Sequence, residues 1–569
     1  MKKILFSLVC FLATLLTNAQ NPTFDWAVGD NISWFDEGNC IDVDASGNVY
    51  VSGNLYGTTD FDPSANTYTL TSAGGNDVFI AKYDASGNFI WAKRIGNSGI
   101  DYSYSMNVDS IGNVYTTGVF AGVVDFDPGV GTYTIAANSS RTIFVSKLNS
   151  NGNFIWAKQI CGTLVPALTL DDFGNILITG ICNDTMDLDP GIGVFKLGSN
   201  GSIGGQFILK LNSQGNFVWA KRLLLSNLST ALGGSMLSCI KTDHLGNIYS
   251  TGYFTGTIVF DPNGLNYSIT SAGGNDAFVS KLDSSGNFKW ARRFGSSGSD
   301  AATAITLDNN SNAYVTGGFG NTVDFDPSSS VYNLSSIGQG DVFILKLDSL
   351  GNFMWVKQIG GSDYQNTQAI QLDGSGNIYT GAWFKSSVDV DPSTAIYNLT
   401  SAGDSDAYIS KLDNNGNFIW AKQIGGTKYD DVRSIFVDAA NNVYTAGNYT
   451  GIVDLDPSAS VFNVNSDTVY GGFYIQKLSQ TSVGIKENQQ FNGISIYPIP
   501  SSTFLNISIN NYNDEPVSFQ ILNSLGEVLI EEALSSNHSK LNIQHLISGM
   551  YFIKISQKEK HSVMKFIKE

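Results

Sequence analysis

A tryptophan recurs through most of the chain at a nearly constant distance. Its seven copies are Trp26, Trp91, Trp156, Trp219, Trp290, Trp355 and Trp420, and the gaps between them are 65, 65, 63, 71, 65 and 65 residues. A fixed period is typical of repeat architectures, in which one structural unit is copied along the chain and buries its apolar surface against its neighbours. The spacing therefore predicts seven copies of one unit rather than a set of unrelated domains.

Each unit is predicted to contain four short strands. Apolar and polar residues alternate in segments such as Phe144–Leu148 and Phe154–Lys158, as in half-buried strands. Two Asp-x-x-Gly segments, such as Asp44–Gly47 and Asp84–Gly87, suit type I turns, because Asp bonds its own backbone and Gly supplies an unusual dihedral angle. The pattern indicates an all-β fold, a seven-bladed β-propeller. A solenoid is the alternative, but 65 residues exceed the roughly 20 to 50 of most repeat units.

The seventh repeat lacks a tryptophan strand at its own end. It contains Asp454–Pro457 and Phe473–Leu478 with no Trp after them, whereas Phe24–Ala27 stands alone before the first repeat. We therefore expect this N-terminal strand to complete the last blade, because pairing the two ends removes open sheet edges. The propeller is expected to span residues 20–483.

The most regular part of the repeat runs Asp109-Ser-Ile-Gly-Asn-Val-Tyr-Thr-Thr-Gly118. This pattern of Asp, Gly-Asn-apolar-Tyr and a later Gly resembles the bacterial beta-propeller repeat family abbreviated SBBP. Three departures are Leu177 in place of the Tyr, Ser311 in place of the first Gly and Ala382 in place of the later Gly. The resemblance implies the propeller architecture but not one particular activity.

Residues 1–19 have the pattern of a secretory signal peptide. Lys2 and Lys3 precede an apolar run from Ile4 to Leu16, and Thr17-Asn18-Ala19 form a cleavage-type site. The run is shorter than the ~20 residues of a membrane-spanning helix, and we expect no transmembrane segment in the mature chain. The net charge of −18 argues against nucleic acid as a partner.

A second domain is predicted after a polar linker, residues 484–493. Residues 494–569 show alternating strands that suggest a small β-sandwich, with three landmarks in order, Tyr497-Pro-Ile-Pro500, Asn523–Val528 and Ser548–Ile555. The landmarks resemble the type A C-terminal sorting domain of the type IX secretion system of Bacteroidota, although Ile499 stands where Asn is usual. An ordinary adhesive β-sandwich is the alternative.

The resemblance to a sorting domain implies a cellular address. It implies the type IX secretion machinery as a partner, export across the outer membrane and removal of residues 494–569. The mature protein would then be released or attached to surface lipopolysaccharide. The sorting-signal residues that the resemblance implies are Tyr497, Pro498, Pro500, Gly526, Gly549, Tyr551, Lys565 and Lys568.

An Asp-x-Asp-Pro segment recurs in six repeats. Side chains two residues apart on a strand point the same way, so the paired carboxylates repel unless a cation or hydrogen-bond donors neutralise them. Calcium prefers oxygen ligands and is the only cofactor suggested. The candidate calcium ligands are Asp60, Asp62, Asp125, Asp127, Asp187, Asp189, Asp324, Asp326, Asp389, Asp391, Asp454 and Asp456. The alternative is a turn that the second Asp opens, with the first Asp solvated.

The repeat is predicted to have two different faces. The Asp-x-x-Gly turns lie on one, here called the turn face; the connections between second and third strands and between consecutive repeats lie on the other, here called the loop face. A binding site is expected on the loop face, because a rigid scaffold positions functional groups on its loops. The ligand-binding candidates there are Trp34, Asp36, Asp101, Asp300, Asp363, Trp383 and Asp431, whereas the recurring tryptophans are expected to pack between blades.

These features favour a secreted or cell-surface, non-catalytic propeller that binds a glycan or a protein through its loop face. His244 is the one histidine of the propeller region, so a Ser-His-Asp triad or a polyhistidine metal site is not expected there. One alternative is an enzyme acting on extracellular polysaccharide, a lyase or glycosidase using carboxylates; another is a structural surface spacer. A non-repeating cluster of acids with Tyr or Arg in one cleft would favour the enzyme.

Overall fold

The structure of the protein is a computed structural model. It describes residues 21–29, 36–162, 166–182, 187–197, 205–225, 236–262, 267–466, 471–480, 494–509, 517–523, 528–534, 536–557 and 560–569. Every regular element within these ranges is a β-strand. The chain divides into two compact units, Met1–Gln480 and Thr481–Glu569.

Seven antiparallel sheets, each with a core of four strands, make up the described part of the first unit. The first strands are Glu37–Val43, Tyr102–Val108, Leu168–Leu170, Met236–Thr242, Ala301–Leu307, Gln365–Leu372 and Ser434–Val437. The second strands are Val49–Leu55, Val114–Phe120, Ile176–Cys182, Ile248–Phe254, Ala313–Phe319, Ile378–Phe384 and Val443–Tyr449. The third strands are Asp77–Tyr83, Thr142–Leu148, Gly205–Leu211, Asp276–Leu282, Asp341–Leu347, Asp406–Leu412 and Gly472–Ser479. The fourth strands are Phe89–Ile95, Phe154–Ile160, Phe217–Leu225, Phe288–Phe294, Phe353–Gly361, Phe418–Gly426 and Thr23–Gly29.

The Asp-x-x-Gly segments form the tight turns that the sequence predicts. In the first, Gly47 N donates to Asp44 O (2.9 Å), and Asp44 Oδ1 accepts from Ser46 N (2.9 Å). Gly47 has a φ of 81°, in the left-handed region that favours glycine. Ser311 replaces this glycine in the fifth repeat and adopts a φ of 62°. The turn geometry is therefore kept even where the residue that suits it best is lost.

The recurring tryptophans pack between consecutive sheets. Trp91 is 8% exposed, and its Nε1 donates to Ser150 O in a turn of the next repeat (3.2 Å). Its ring meets the ring of Tyr50 edge-on, with the centroids 6.2 Å apart. Trp290 makes the same bond to Ser349 O (3.2 Å). These contacts agree with the core role expected for the tryptophans.

The N-terminal strand lies at the edge of the last sheet. Thr23–Gly29 pairs antiparallel with Gly472–Ser479. Trp26 Nε1 donates to Ala85 O in the first repeat (3.1 Å), which is the bond that other tryptophans make to the following repeat. Val28 shares a buried cluster with residues of the first and the last sheet. Burial of this shared apolar surface stabilises the pairing.

Short hairpins connect the second and third strands on the loop face. They pair Thr58–Asp60 with Thr69–Thr71, Val123–Asp125 with Thr134–Ala136, Thr257–Val259 with Ser268–Thr270, Thr322–Asp324 with Asn333–Ser335, Ser387–Asp389 with Asn398–Thr400, and Ile452–Asp454 with Asn463–Asn465. In the third repeat a single bridge joins Asp187 and Lys196. The apolar residue inside each Asp-x-Asp-Pro is buried; Phe61, for example, lies 5.0 Å from the Phe79 ring and 5.9 Å from the Phe473 ring.

The second unit contains two sheets that share one apolar core. One consists of Ile494–Tyr497, Phe504–Ile509 and His538–Asn542. The other consists of Val528–Leu534, Val517–Leu522, Gly549–Gln557 and Lys560–Lys568. Leu505 and Phe519 lie together in the buried cluster, as expected for a small β-sandwich.

Candidate functional site

The Asp-x-Asp-Pro carboxylates hold their own hairpins closed. Asp60 Oδ1 accepts from Asp62 N (3.1 Å) and from Tyr68 N across the hairpin (2.8 Å), and Asp62 Oδ1 accepts from Ser64 N (2.9 Å). The same bonds recur at the other five pairs. Backbone donors thus satisfy one oxygen of each carboxylate. In the part of the chain that the structure describes, no group of three or more His, Cys, Asp or Glu side chains could hold a metal ion, and calcium at these pairs stays a prediction.

Three of the acids predicted to bind ligand are buried where consecutive repeats meet. Asp101 is 1% exposed, and its two oxygens accept from Asn97 N (2.9 Å) and Ala121 N (3.0 Å). Asp300 repeats this arrangement with Ser296 N (2.7 Å) and Gly320 N (2.9 Å). Asp36, also buried, accepts from Tyr56 N (2.6 Å). These side chains join the connection between repeats to the end of the second strand.

The other two predicted acids, Asp363 and Asp431, are not at the same position of the repeat as these three. Asp36, Asp101 and Asp300 each lie ten residues after the recurring tryptophan, and the residues at that position in the last two repeats are Gln365 and Asp430. Asp430 Oδ2 accepts from Gly426 N (2.7 Å), as Asp101 does from Asn97. Asp363 and Asp431 are therefore not equivalent to Asp101, and each makes different contacts from it.

Burial changes the acidity of these carboxyl groups. Burial raises the pKa of Asp101 to about 6. Burial, together with the charge of Asp406, raises the pKa of Asp430 to about 8, so this group holds a proton far more tightly than an exposed aspartate.

Asp363 lines an open depression of about 610 Å³ on the loop face. Its walls are Asp363, Lys385, Ser386, Ser387, Thr400, Ser401, Gly403 and Asp404. Asp363 Oδ2 accepts from Ser386 Oγ (3.1 Å), and Lys385 Nζ pairs with Asp404 Oδ1 (2.9 Å). The depression is therefore lined by hydroxyl and charged groups that can exchange hydrogen bonds with a polar ligand.

The aromatic rings of Tyr364, Trp383 and Tyr429 lie in a row. The ring centroids of Tyr364 and Trp383 are 5.6 Å apart, and those of Trp383 and Tyr429 are 6.1 Å apart. Tyr364 is 43% exposed, and the other two rings are partly exposed. We call these three residues the aromatic row. Trp383 was predicted as a ligand residue, whereas Trp34 lies outside the described residues.

Asp431 connects the aromatic row to an arginine. It is fully buried, and its Oδ2 accepts from Tyr429 OH (2.9 Å) and from Arg433 Nε (2.7 Å), while Oδ1 accepts from Asn448 N (2.9 Å). Burial, then the charge of Asp431, raises the pKa of Tyr429 above its usual value. Asp431 is thus a positioning residue, and Tyr429 keeps its proton at neutral pH.

Sequence reasoning missed Tyr364, Tyr429 and Arg433. A signal for the two tyrosines was present, because the position nine residues after the tryptophan holds Tyr only in the last two repeats and otherwise holds Phe35, Ile100, Val165, Leu228 and Ser299. Departure from an otherwise regular repeat marks these positions. No comparable signal predicts that the two tyrosines flank Trp383, because that requires the positions of three separate segments.

The sorting-signal residues have different environments. Tyr551 is 7% exposed, donates from its OH to Ile547 O (2.9 Å) and stacks on Phe566. Lys568 is buried and pairs with Gly549 across the last two strands, whereas Tyr497, Pro498, Pro500 and Lys565 are exposed. Gly526 lies outside the described residues. The exposed Tyr-Pro-Ile-Pro segment is therefore available to a partner.

The described sheets and the separate β-sandwich define a propeller-like repeat protein with an appended C-terminal domain. Residues 495–569 match the model of the secretion system C-terminal sorting domain, and residues 289–317 and 419–448 match that of the beta-propeller repeat. Both resemblances seen in the sequence are confirmed. The sorting domain assigns the protein to type IX export, with the secretion machinery as a partner, and to the medium or the cell surface. The described residues contain no helix long and apolar enough to span a membrane.

Two relatives share limited identity with the chain. An uncharacterized WD repeat-containing protein of Acanthamoeba polyphaga mimivirus is 24% identical over 77% of this chain and 37% of its own length. The regulatory protein FlaEY of Caulobacter vibrioides is 24% identical over 35% of this chain and 21% of its own length. The chain thus matches well under half of either relative.

The solved structures align only loosely. The extracellular domain of a putative hybrid two-component system from B. thetaiotaomicron covers 93% of this chain and 80% of its own, at 12% identity and a TM-score of 0.20. Rhamnogalacturonan lyase YesW covers 80% and 91%, at 10% identity and a TM-score of 0.29. At these TM-scores the alignments carry no argument about the function of this chain.

Proposed function

We propose that the seven sheets close into one propeller over residues 20–483, with Thr23–Gly29 as the outer strand of the seventh blade and residues 484–493 as a linker to the sorting domain. Three contacts between the first and last repeats support this arrangement. Trp26 Nε1 and Lys477 Nζ both donate to Ala85 O (3.1 and 3.0 Å), and Gly38 N donates to Asn448 Oδ1 (3.0 Å). A closed ring would give the loop face a rigid support.

On this scaffold the protein is a secreted or surface-attached protein that binds a glycan through its loop face. The observation that carries this function is the aromatic row, Tyr364, Trp383 and Tyr429. Aromatic faces pack against the C–H surfaces of sugar rings, and nearby hydroxyl and charged groups bind the sugar hydroxyls. Arg433 and the polar wall of the depression around Asp363 supply such groups.

The test is a glycan array with the mature protein and two variants. Trp383→Ala is expected to weaken binding at least about tenfold, which corresponds to about 1.4 kcal/mol. The matched control is Tyr253→Ala, because Tyr253 holds the same place, one residue before the end of the second strand, in the fourth repeat. Equal binding by the two variants, or no glycan bound by the parent protein, would remove the glycan function and leave a protein partner or a structural spacer.

A polysaccharide-acting enzyme is the second candidate, because the Tyr429–Asp431–Arg433 cluster occurs once among the described residues. The contacts limit its chemistry. Asp431 is buried with both oxygens bonded, and Tyr429 retains its proton, so Tyr429 can donate a proton but is a poor base. Release of shortened or unsaturated sugars from arrayed polysaccharide, lost in Tyr429→Phe, would establish the enzyme.

Calcium at the Asp-x-Asp-Pro hairpins is tested by running the array with calcium and with a chelator.

A further inference from the structure

A buried aspartate begins the third strand in four repeats. These residues are Asp77, Asp276, Asp341 and Asp406, and each is 0% exposed. One oxygen of each accepts a backbone N–H from four residues earlier, at 2.8 to 3.1 Å. Burial raises the pKa of all four carboxyl groups. A buried carboxylate is costly unless its charge is compensated.

In the first and fourth repeats an arginine from the fourth strand supplies that compensation. Arg94 pairs with Asp77, and the next acid along the chain, Asp101, completes the group. In the fourth repeat Arg293 pairs with Asp276 at 3.0 Å, and the further acid is Asp300. Each group therefore contains two acids and one arginine, which leaves one net negative charge.

The group between the fifth and sixth repeats lacks both the arginine and the second acid. Gln358 takes the place of the arginine and donates to Asp341 (2.5 Å), and Gln365 takes the place of the second acid. This group again carries one net negative charge, from Asp341 alone. Arginine and second acid are thus present together or absent together in these three groups.

The group between the last two repeats breaks this rule. Gln423 replaces the arginine and donates to Asp406 Oδ2 (2.6 Å), yet the second acid, Asp430, is retained. Asp430 N donates to Ser405 O (2.9 Å), which places Asp430 beside Asp406. The two buried carboxylates therefore repel each other, and no arginine compensates their charge as in the first and fourth repeats.

The free oxygen of Asp430 distinguishes this pair further. Within the described residues, Asp406 Oδ1 is buried without a hydrogen-bond partner, as is Oδ1 of Asp77, Asp276 and Asp341. Asp430 Oδ1 is also without a partner, whereas both oxygens of its counterparts Asp101 and Asp300 are bonded. The backbone N–H of Thr450 favours the charged form of Asp430, but its effect on the pKa is smaller than that of burial. The neighbouring Asp431 is paired with Arg433. Buried acceptors without donors are rare and point to a missing partner.

We propose that Asp406 and Asp430 bind a calcium ion, which supplies the positive charge that arginine supplies in the first and fourth repeats. Calcium accepts carboxylate oxygens together with backbone carbonyls and water, so two aspartates form part of a site of about six to eight oxygens. The ion would fix the segment that carries Tyr429 and Arg433. The site is separate from the Asp-x-Asp-Pro hairpins and does not depend on glycan binding.

The test compares thermal unfolding of the mature protein with calcium and with a chelator. Calcium is expected to raise the Tm by about 2 °C or more. Gln423→Arg restores the arginine of the other repeats and is expected to abolish the shift while keeping the chelator Tm at or above that of the parent, so loss of the shift cannot be ascribed to misfolding. The matched control Gln358→Arg is expected to retain it.

Three results would overturn the calcium site. The calcium shift could persist unchanged in Gln423→Arg, which would place the ion elsewhere, as at the hairpins. Magnesium and sodium could raise the Tm as much as calcium at equal ionic strength, which would indicate charge screening. Calcium could leave the Tm unchanged, and acidification could instead raise the Tm of the parent but not that of Gln423→Arg. In that case Asp406 and Asp430 share a proton and not a calcium ion.

Discussion

The two faces of the repeat treat the same side chain, aspartate, in opposite ways. On the turn face, burial raises the pKa of Asp44, but hydrogen bonds from Asn48 and Tyr50 outweigh it and lower the pKa below its usual value. On the loop face, burial dominates and raises the pKa of Asp101 to about 6 and of Asp430 to about 8. The surroundings of Asp44 therefore stabilise its charged form, and those of Asp101 and Asp430 stabilise the protonated form.

The two faces also differ in regularity. A lysine of the third strand lies over a tyrosine ring of the second strand and near the turn aspartate, as Lys82 does with Tyr50 (4.8 Å) and Asp44 (3.8 Å). This set recurs from repeat to repeat. The aromatic row and the Asp406–Asp430 pair occur once among the described residues. Residues that recur in every repeat stabilise the fold, and residues that differ from the repeat mark the places where a specific ligand can bind.

The largest expected effect is on the turn side of the interface between repeats. Trp290→Ala removes a buried ring and its bond to Ser349 O, and should lower the free energy of unfolding by about 3 to 5 kcal/mol. Urea denaturation measures this loss. Ile111→Ala, at a 76% exposed position, is the control and should change it by less than about 0.5 kcal/mol. A Trp290→Ala loss below about 1 kcal/mol would contradict the packing role.

The next effect contrasts one aspartate from each face. Asp373→Asn weakens the bonds to Ser375 N, Asn377 and Tyr379 OH. It also removes the charged partner of the buried Lys411, whose other bond is to Gln480 Oε1, so it should cost about 2 to 3 kcal/mol. Asp363→Asn, on the loop face, should cost less than about 0.5 kcal/mol, because Asp363 is partly exposed. Equal losses in parallel urea titrations would erase the distinction between the faces.

Acids of both faces should contribute to the pH dependence of stability, with opposite signs. Turn-face acids with lowered pKa values, such as Asp44, contribute stability above the unfolded-state pKa of about 4, and it is lost on acidification. Asp101 and Asp430, with pKa values raised to about 6 and about 8, contribute stability that is lost as the pH rises between about 4 and these values. In chelator, the Tm should therefore pass through a maximum in mildly acidic solution.

Asp430→Asn tests the alkaline side of that profile. Asparagine carries no charge at any pH, so the fall in Tm between pH 6 and pH 8 should be shallower in this variant than in the parent, while the acid side stays the same. Identical slopes in the two proteins would show that Asp430 does not titrate in this range.

The smallest expected effect is at an exposed ion pair of the turn face. His244 Nδ1 lies 2.6 Å from Asp172 Oδ2, with both side chains mostly exposed. His244→Gln should change the free energy of unfolding by no more than about 0.5 kcal/mol, because water screens such pairs. A loss of several kcal/mol would mean that exposure on this face is a poor guide to its energetics.

Spacing predicted most of the repeat but fewer of the sorting-domain strands. Tryptophan gaps and Asp-x-x-Gly turns located the strands around Asp44 and Asp84 because those turns close through bonds within four residues. In the sorting domain, the alternating patterns predict strands at Leu505–Ile509, Val517–Ile521, Glu527–Ile530 and Met550–Ile555. The structure adds Ile494–Tyr497, His538–Asn542 and Lys560–Lys568. Their partners are distant in sequence, and no repeat reveals them.

By itself, the sequence determined the repeat, its turns, the packing role of its tryptophans and the export signal, because each depends on residues close together in the chain or on the copying of one segment. Only the tertiary structure showed that Trp383 lies between Tyr364 and Tyr429. Only it showed that Asp406 and Asp430 share a buried site without an arginine. Each of these depends on burial and on the meeting of separate segments, and the energy of a charge is set by those surroundings.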